Sequence, residues 1–183
     1  LQEKILLLAA RVFRGHYRRT SLQPQAITSG TGSNASTRTI SSNSIALTDW
    51  YDSDTRTGDW GWYLDLDATI GERVIDEITL YRNYLLISSI YPDSDPCTAG
   101  LSSYLYALNP YTGGKMLFNV FNLDTGSGSS SDIVSGIAFE AGGFTIWQNQ
   151  IVGSSGGVTS INAFSGAQGR QTWRQLPATS TGN

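Results

Sequence analysis

The stretch Ala107-Leu108-Asn109-Pro110-Tyr111-Thr112-Gly113 recurs 53 positions later as Ser160-Ile161-Asn162-Ala163-Phe164-Ser165-Gly166, and each copy precedes a segment ending in an aromatic residue. The pattern has a mechanical reading. A strand ends at Asn, whose side chain bonds its own backbone, two residues carry the turn, and a hydroxyl and a Gly close it where positive φ is needed. A β-propeller blade is a four-stranded unit of about 40 to 50 residues, and this hairpin would be its outer strand pair. The competing reading is two unrelated turns built from favoured turn residues. At this period the 183-residue chain holds at most about three and a half blades. Closed rings use about 4 to 8, so the expectation is a partial propeller whose edge strands need the rest of a parent protein, or a partner, to cover them.

Short apolar runs flank the repeat at turn-rich spacing: 62–66, 78–90, 103–108, 116–121, 133–139, 144–147, 158–164 and 171–176. All but 78–90 are of strand length, and Gly, Pro, Asn or Asp bound nearly all of them. Arg82-Asn83 would split that long run into Val74 to Tyr81 and Tyr84 to Ile90. Residues 1–20 read equally as a helix or as a strand pair bent near Gly15. From 21 to 44 the chain is rich in Ser, Thr, Gly and Asn, with only Leu22, Ala26, Ile27, Ala35 and Ile40 as apolar anchors, which predicts a long surface loop.

Composition agrees with an all-β chain. Charged residues make up 15% and aromatics 11%, with 20 Gly, a balance suited to short strands and tight turns. A single Cys (Cys97) forbids an internal disulfide, and a single His (His16) forbids sites that need two imidazoles. The net charge of −3 argues against nucleic acid, although the first twenty residues carry Lys4, Arg11, Arg14, Arg18 and Arg19 against Glu3. The apolar run from Ile5 to Ala10 is far short of the roughly 20 residues that span a bilayer. With Leu1 at its start and a basic stretch after Ala10, the sequence reads as an interior piece of a longer precursor.

Four segments invite chemistry. Gly153-Ser154-Ser155-Gly156-Gly157 spells the G-x-S-x-G nucleophile elbow, which needs a strand before the Ser and a helix after it; here strand-like Val158-Thr159-Ser160-Ile161 follows. A flexible hairpin accounts for it better. Asp49, Asp52, Asp54, Asp59, Asp65 and Asp67 alternate with Trp50, Tyr51, Trp60, Trp62 and Tyr63, which suits either sugar binding or the packing of sheet seams. Asn119, Asn122, Asp124 and Asp132 supply hard oxygens on a Gly- and Ser-rich loop, a reduced version of a calcium loop that lacks the D-x-[DN]-x-[DN]-G spacing. Asn34-Ala35-Ser36 matches a glycosylation acceptor, as many triplets do by chance.

Ordered strings then accumulate: Gly61-Trp62-Tyr63-Leu64-Asp65-Leu66, Gly71-Glu72-Arg73-Val74, Pro92-Asp93-Ser94-Asp95-Pro96-Cys97 and Gly169-Arg170-Gln171-Thr172-Trp173-Arg174-Gln175-Leu176. With Leu1-Gln2-Glu3-Lys4, Arg38-Thr39-Ile40-Ser41-Ser42-Asn43 and Asp49-Trp50, the chain resembles, over nearly its whole length, the end of the PilY family of type IV pilus proteins. The resemblance implies the C-terminal part (1–183) of a propeller with quinoprotein-like four-stranded antiparallel blades. It implies no catalysis, a place at the pilus tip or outer cell surface, and a role in pilus assembly and adhesion. The implied partners are the remainder of the precursor, pilins or minor pilins, and host-surface or glycan ligands. Some family propellers bind calcium through an Asp-rich loop, which would put Asn122, Asp124 and Asp132 at a metal, but this loop has few acids.

The remaining family positions read as structural. Gly61 and Gly71 would start and end a strand and turn beside Trp62 and Asp65, Glu72 and Arg73 would pair across a blade edge, and Asp93, Asp95 and Pro96 would fix a turn presenting Cys97. Cys97 is either buried and inert or bonded to a thiol elsewhere in the parent. Trp173 and Arg174 belong to the last string. The competing functions are a fragment of a quinone-dependent dehydrogenase, which would need charged ligands around a central cofactor, and a carbohydrate-binding module.

Overall fold

The fold is taken from a computed structural model that describes residues 4–7, 22–30, 35–45, 61–92, 100–123 and 133–162, and over these residues it contains strands and turns with no helix. Three sheets pack in sequence. The first holds β1 (Lys4–Leu7), β5 (Trp62–Asp65) and β2 (Gln23–Gln25), with β5 central, antiparallel to β1 and parallel to β2. The second runs β3 (Ile27–Ser29), β4 (Thr37–Ile40), β10 (Gly136–Glu140), β9 (Leu101–Leu108), β8 (Tyr84–Pro92) and β6 (Arg73–Val74), with β7 (Thr79–Tyr81) also paired to β8. Within it β7, β8, β9 and β10 form a four-stranded antiparallel meander. The third sheet is the meander β11 (Phe144–Trp147), β12 (Gln150–Gly153) and β13 (Val158–Ser160).

The central sheet is covered on both faces. Side chains alternate along a strand, so Leu85, Ile87, Tyr104, Tyr106 and Leu108 join Trp62, Leu64 and Leu66 of the first-sheet region in one core cluster. Tyr84, Leu86, Leu105 and Ala107 point the other way, into a cluster with Ile151, Ile161, Phe144 and Ile146. Two-sided burial explains why these strands read as continuous apolar runs rather than as alternating ones. Each buried Leu, Ile or Val side chain contributes about 1.5–3 kcal/mol relative to exposure.

The second and third sheets are built on a repeat. Thr79-Leu80-Tyr81-Arg82-Asn83 matches Thr145-Ile146-Trp147-Gln148-Asn149, and Ser88-Ser89 matches Ser154-Ser155. The register follows: Tyr81 faces Tyr84 and Leu80 faces Leu85, as Trp147 faces Gln150 and Ile146 faces Ile151. Both turns place a non-glycine residue at positive φ, Arg82 at 55° and Gln148 at 56°. The two turns touch, because the Tyr81 hydroxyl donates to the Gln148 carbonyl at 2.7 Å and Arg82 donates to Asn149 Oδ1 at 3.0 Å.

Three expectations need correction. Residues 22–29 and 37–40 carry three strands where a surface loop was expected, and Leu22, Gln25, Arg38 and Ile40 are buried. The segment enters the interior on hydrogen-bonded polar side chains, which an apolar count does not register. The run 116–121 does not form a strand; a single bridge, Phe121 to Ile161, is its pairing. The Asn109 turn therefore ends β9 without returning as a hairpin, so it is not an outer strand pair. The run 171–176 lies outside the described residues.

Candidate functional site

The family-like strings meet at a buried charge. Arg38 on β4 and Glu72, just before β6, have fully buried side chains and form an ion pair with Arg38 Nη1 2.6 Å from Glu72 Oε2. Further hydrogen bonds surround the pair. Glu72 Oε1 accepts from the Ser89 hydroxyl at 2.6 Å and the Tyr106 hydroxyl at 2.7 Å. Arg38 also donates through Nε to the Gly30 carbonyl at 3.1 Å, and through Nη1 and Nη2 to the hydroxyls of Tyr106 and Thr69. Its guanidinium carbon lies 3.5 Å from the centroid of the Tyr104 ring, a cation–π contact. Tyr91 stacks on Tyr104 from 5.3 Å, and the Tyr104 hydroxyl donates to the Ala35 carbonyl at 2.7 Å.

Burial and the neighbouring charges act on the titration of Tyr106 and Arg38. Burial, with the Glu72 carboxylate adding to it, holds the Tyr106 phenol well above the usual tyrosine range. Burial would lower the Arg38 pKa, but Tyr106 and Glu72 outweigh it and the guanidinium is held above its ordinary value. The cluster is thus a buried, multiply hydrogen-bonded junction tying β4, the Thr69–Glu72 turn, β8 and β9 together. The expectation that Glu72 pairs with Arg73 is corrected: Glu72 turns inward to Arg38, whereas Arg73 is exposed and donates to the Gly71 carbonyl at 3.4 Å. Gly71, at φ 78°, gives the chain the turn that aims Glu72 inward.

A second junction seats the Asn109 turn. Asn109 Oδ1 accepts from the backbone N–H of Tyr111 at 2.9 Å and of Thr112 at 3.4 Å. Trp62 lies under this turn, with Nε1 donating to the Pro110 carbonyl at 3.1 Å; Gly113, at φ 68°, sits so close to the indole that a Cβ there would overlap it. Buried Gln25 donates to the carbonyls of Thr112 and Asn43 and accepts from the Ser41 hydroxyl and the Asn43 N–H. Gly61 immediately precedes β5, which begins at Trp62 and ends at Asp65.

The G-x-S-x-G segment forms the β12–β13 hairpin, with a strand where an elbow has a helix. The Ser155 hydroxyl donates to Glu140 Oε2, and the Gly157 N–H donates to Glu140 Oε1 at 2.9 Å. Ser155 is the repeat counterpart of Ser89, so in both meanders the second Ser of the pair binds a Glu carboxylate. Two signals missed at the sequence level would have found these sites: the Thr-x-aromatic-x-Asn…Ser-Ser repeat, and Arg38 as the distant partner of Glu72.

Of the residues behind the calcium expectation, Asn119 and Asn122 are the described ones. Asn119 Oδ1 already accepts the Val134 N–H at 2.9 Å, and Asn122 is exposed. Among the described residues there is no group of three His, Cys, Asp or Glu that could hold a metal ion. Asp124, Asp132, Asp93, Asp95, Pro96, Cys97, Trp173, Arg174 and the acids from 46 to 60 lie outside the described residues. No helix among the described residues is long and apolar enough to cross a membrane.

Stacked antiparallel meanders, clamped from within by buried polar junctions, define the class: a partial β-propeller. The chain is a PilY-family homologue. It is 32% identical over 184 residues to the type IV pilus biogenesis factor PilY1 of Pseudomonas aeruginosa PAO1, covering 91% of this chain and 16% of that protein. It is 34% identical over 181 residues to PilY1 of P. aeruginosa UCBPP-PA14, and 33% identical over 133 residues to a PilY1 homologue of Xylella fastidiosa, covering 85% and 63% of this chain and 15% and 11% of those proteins. The crystal structure of the P. aeruginosa PilY1 C-terminal domain superposes with a TM-score of 0.60 at 26% identity, over 80% of this chain and 33% of that one. No family model matches. The chain spans about a sixth of the PAO1 protein's length.

Proposed function

We propose that this chain is a non-enzymatic scaffold within a type IV pilus biogenesis factor, acting at the cell surface in pilus assembly and tip-mediated adhesion. The observation that carries the reading is the 91% coverage at 32% identity to PilY1, which is itself named a pilus biogenesis factor. The geometry supports a contact role. The polar cluster around Arg38 and Glu72 is fully buried, and Ser155 is held by a carboxylate rather than activated by an imidazole base. Such a scaffold would hold exposed loops in fixed positions for pilins or minor pilins and for surface ligands.

The test is genetic. Residues 61–162 are deleted from the encoding gene in its native host, and surface pili and twitching motility are measured against a strain complemented with the intact gene. Loss of both, restored by the intact gene and by a Ser155→Ala version, is the expected result. Normal piliation after deletion would overturn the assembly role, and failure of the Ser155→Ala version alone, with the protein at normal abundance, would overturn the non-enzymatic one.

A further inference from the structure

We propose that the Asn109 turn presents Tyr111 as a stacking platform for a pyranose ring, and that Asn43 and Thr112 beside it hydrogen-bond the sugar's hydroxyls. The inference rests on the contact role proposed above and gives that role a ligand class, a saccharide. Tyr111 is 80% exposed at the tip of the turn, yet the backbone around it is tied down from within. Asn109 Oδ1 accepts its N–H, Trp62 holds the Pro110 carbonyl and Gln25 holds the Thr112 carbonyl at 2.8 Å. The turn closes beneath it, with the Asn109 N–H on the Gly114 carbonyl at 2.9 Å and the Gly113 N–H on the Asn109 carbonyl at 2.8 Å. None of these bonds uses the Tyr111 side chain. A ring carried on so fixed a backbone loses little freedom when a ligand stacks on it, whereas an aromatic on an unpinned loop must first be ordered.

Polar groups with unused capacity lie alongside. Gln25 donates to the Asn43 carbonyl at 2.9 Å as well as to Thr112, and the Lys115 N–H donates to the Ser41 carbonyl at 3.1 Å. A Cβ on Gly114 would stand 3.1 Å from Ser42 Cα, so the segments 41–43 and 112–115 run side by side. Asn43 is exposed, and its amide nitrogen donates to the Pro24 carbonyl at 2.7 Å, which fixes the amide plane and leaves Oδ1 as an acceptor. Thr112 Oγ1 accepts the Gly114 N–H at 3.3 Å, which leaves its O–H to donate. A pyranose has the matching chemistry: a flat face of C–H groups for the ring, and hydroxyls at its edge that both donate and accept. A protein partner fits less well, because the anchors of protein interfaces sit in apolar surroundings, and Ser42 and Asn43 are exposed, polar and uncharged.

Saturation-transfer difference NMR on the full-length gene product, with cellotriose and lactose as probes, tests this. Transfer should reach the C–H protons of one sugar face, vanish in Tyr111→Ala and persist in Tyr111→Trp. Because the side chain is exposed, Tyr111→Ala should melt at the parent temperature, which separates lost binding from lost folding. No transfer to either sugar, or transfer undiminished in Tyr111→Ala, would overturn the proposal. The deletion experiment above reads piliation rather than sugar contact, so the assembly role and this site fail independently.

Discussion

The meanders β7–β8–β9 and β11–β12–β13 share a turn, a register and a Ser–Glu contact, yet the first is covered on both faces and the second on one. In the first, the Ser89–Glu72 contact is sealed and a guanidinium has been recruited to neutralise the carboxylate. In the second, the Ser155–Glu140 contact is exposed and water can do that work. The repeat therefore supplies the hydroxyl–carboxylate pair, and burial decides whether a cation must accompany it.

The largest test of that contrast replaces each carboxylate by an amide. Glu72→Gln leaves Arg38 charged and buried, and should cost about 3–5 kcal/mol, the usual penalty for breaking one side of a buried pair. Glu140→Gln, which perturbs two exposed hydrogen bonds, should cost about 0.5–1.5 kcal/mol. Urea denaturation of both variants measures the gap, and equal losses would break the comparison. The glycines sharpen it next. Gly113→Ala must displace Trp62 and adopt a strained φ, for a loss of about 2–4 kcal/mol. Gly156→Ala, at φ 96° with nothing within 4 Å, should lose only about 1 kcal/mol.

A smaller effect concerns Tyr84, whose exposed counterpart is Gln150. Its hydroxyl is buried without a hydrogen-bond partner, and its phenol is pushed up to about 12 by burial, reinforced by Tyr81 and partly offset by Arg82. A raised folded-state pKa favours the protonated form, so this contribution is complete below the unfolded tyrosine pKa of about 10 and is lost as pH rises to about 12. Tyr84→Phe should be neutral to about 1 kcal/mol more stable at pH 7, and should move the alkaline melting transition to higher pH. The smallest effect is at the loop between the units: Asp124→Ala should leave the melting temperature in millimolar calcium unchanged, and a calcium-dependent drop would give that loop a metal site.

Legibility in the sequence followed the range of the interactions. The Arg82-Asn83 turn, the end of β9 at Asn109 and most strands were readable because turn residues and apolar runs act over a few positions. Residues 21–44 were misread because Gln25 and Arg38 enter the interior as polar groups, and the partners that permit this lie far along the chain. Glu72 was read with its neighbour Arg73 for the same reason. The repeat was seen only at its Asn turns, because the connection between β12 and β13 is shorter than that between β8 and β9 and the aligned halves fall at unequal spacings.

The Arg38 junction also has a consequence in time. Arg38, Glu72 and Tyr106 are 34 and 68 positions apart along the chain, whereas β7 and β8 close across a two-residue turn. Local hairpins form on the microsecond scale, but no half-assembled version of the junction satisfies its charges, so its members gain only when β4, β8 and β9 are already in register. The junction should thus be absent from the folding transition state and act chiefly on the rate of escape from the folded one. A variant such as Glu72→Gln would then refold at nearly the parent rate and unfold much faster, which makes the buried pair a latch on the lifetime of the finished molecule.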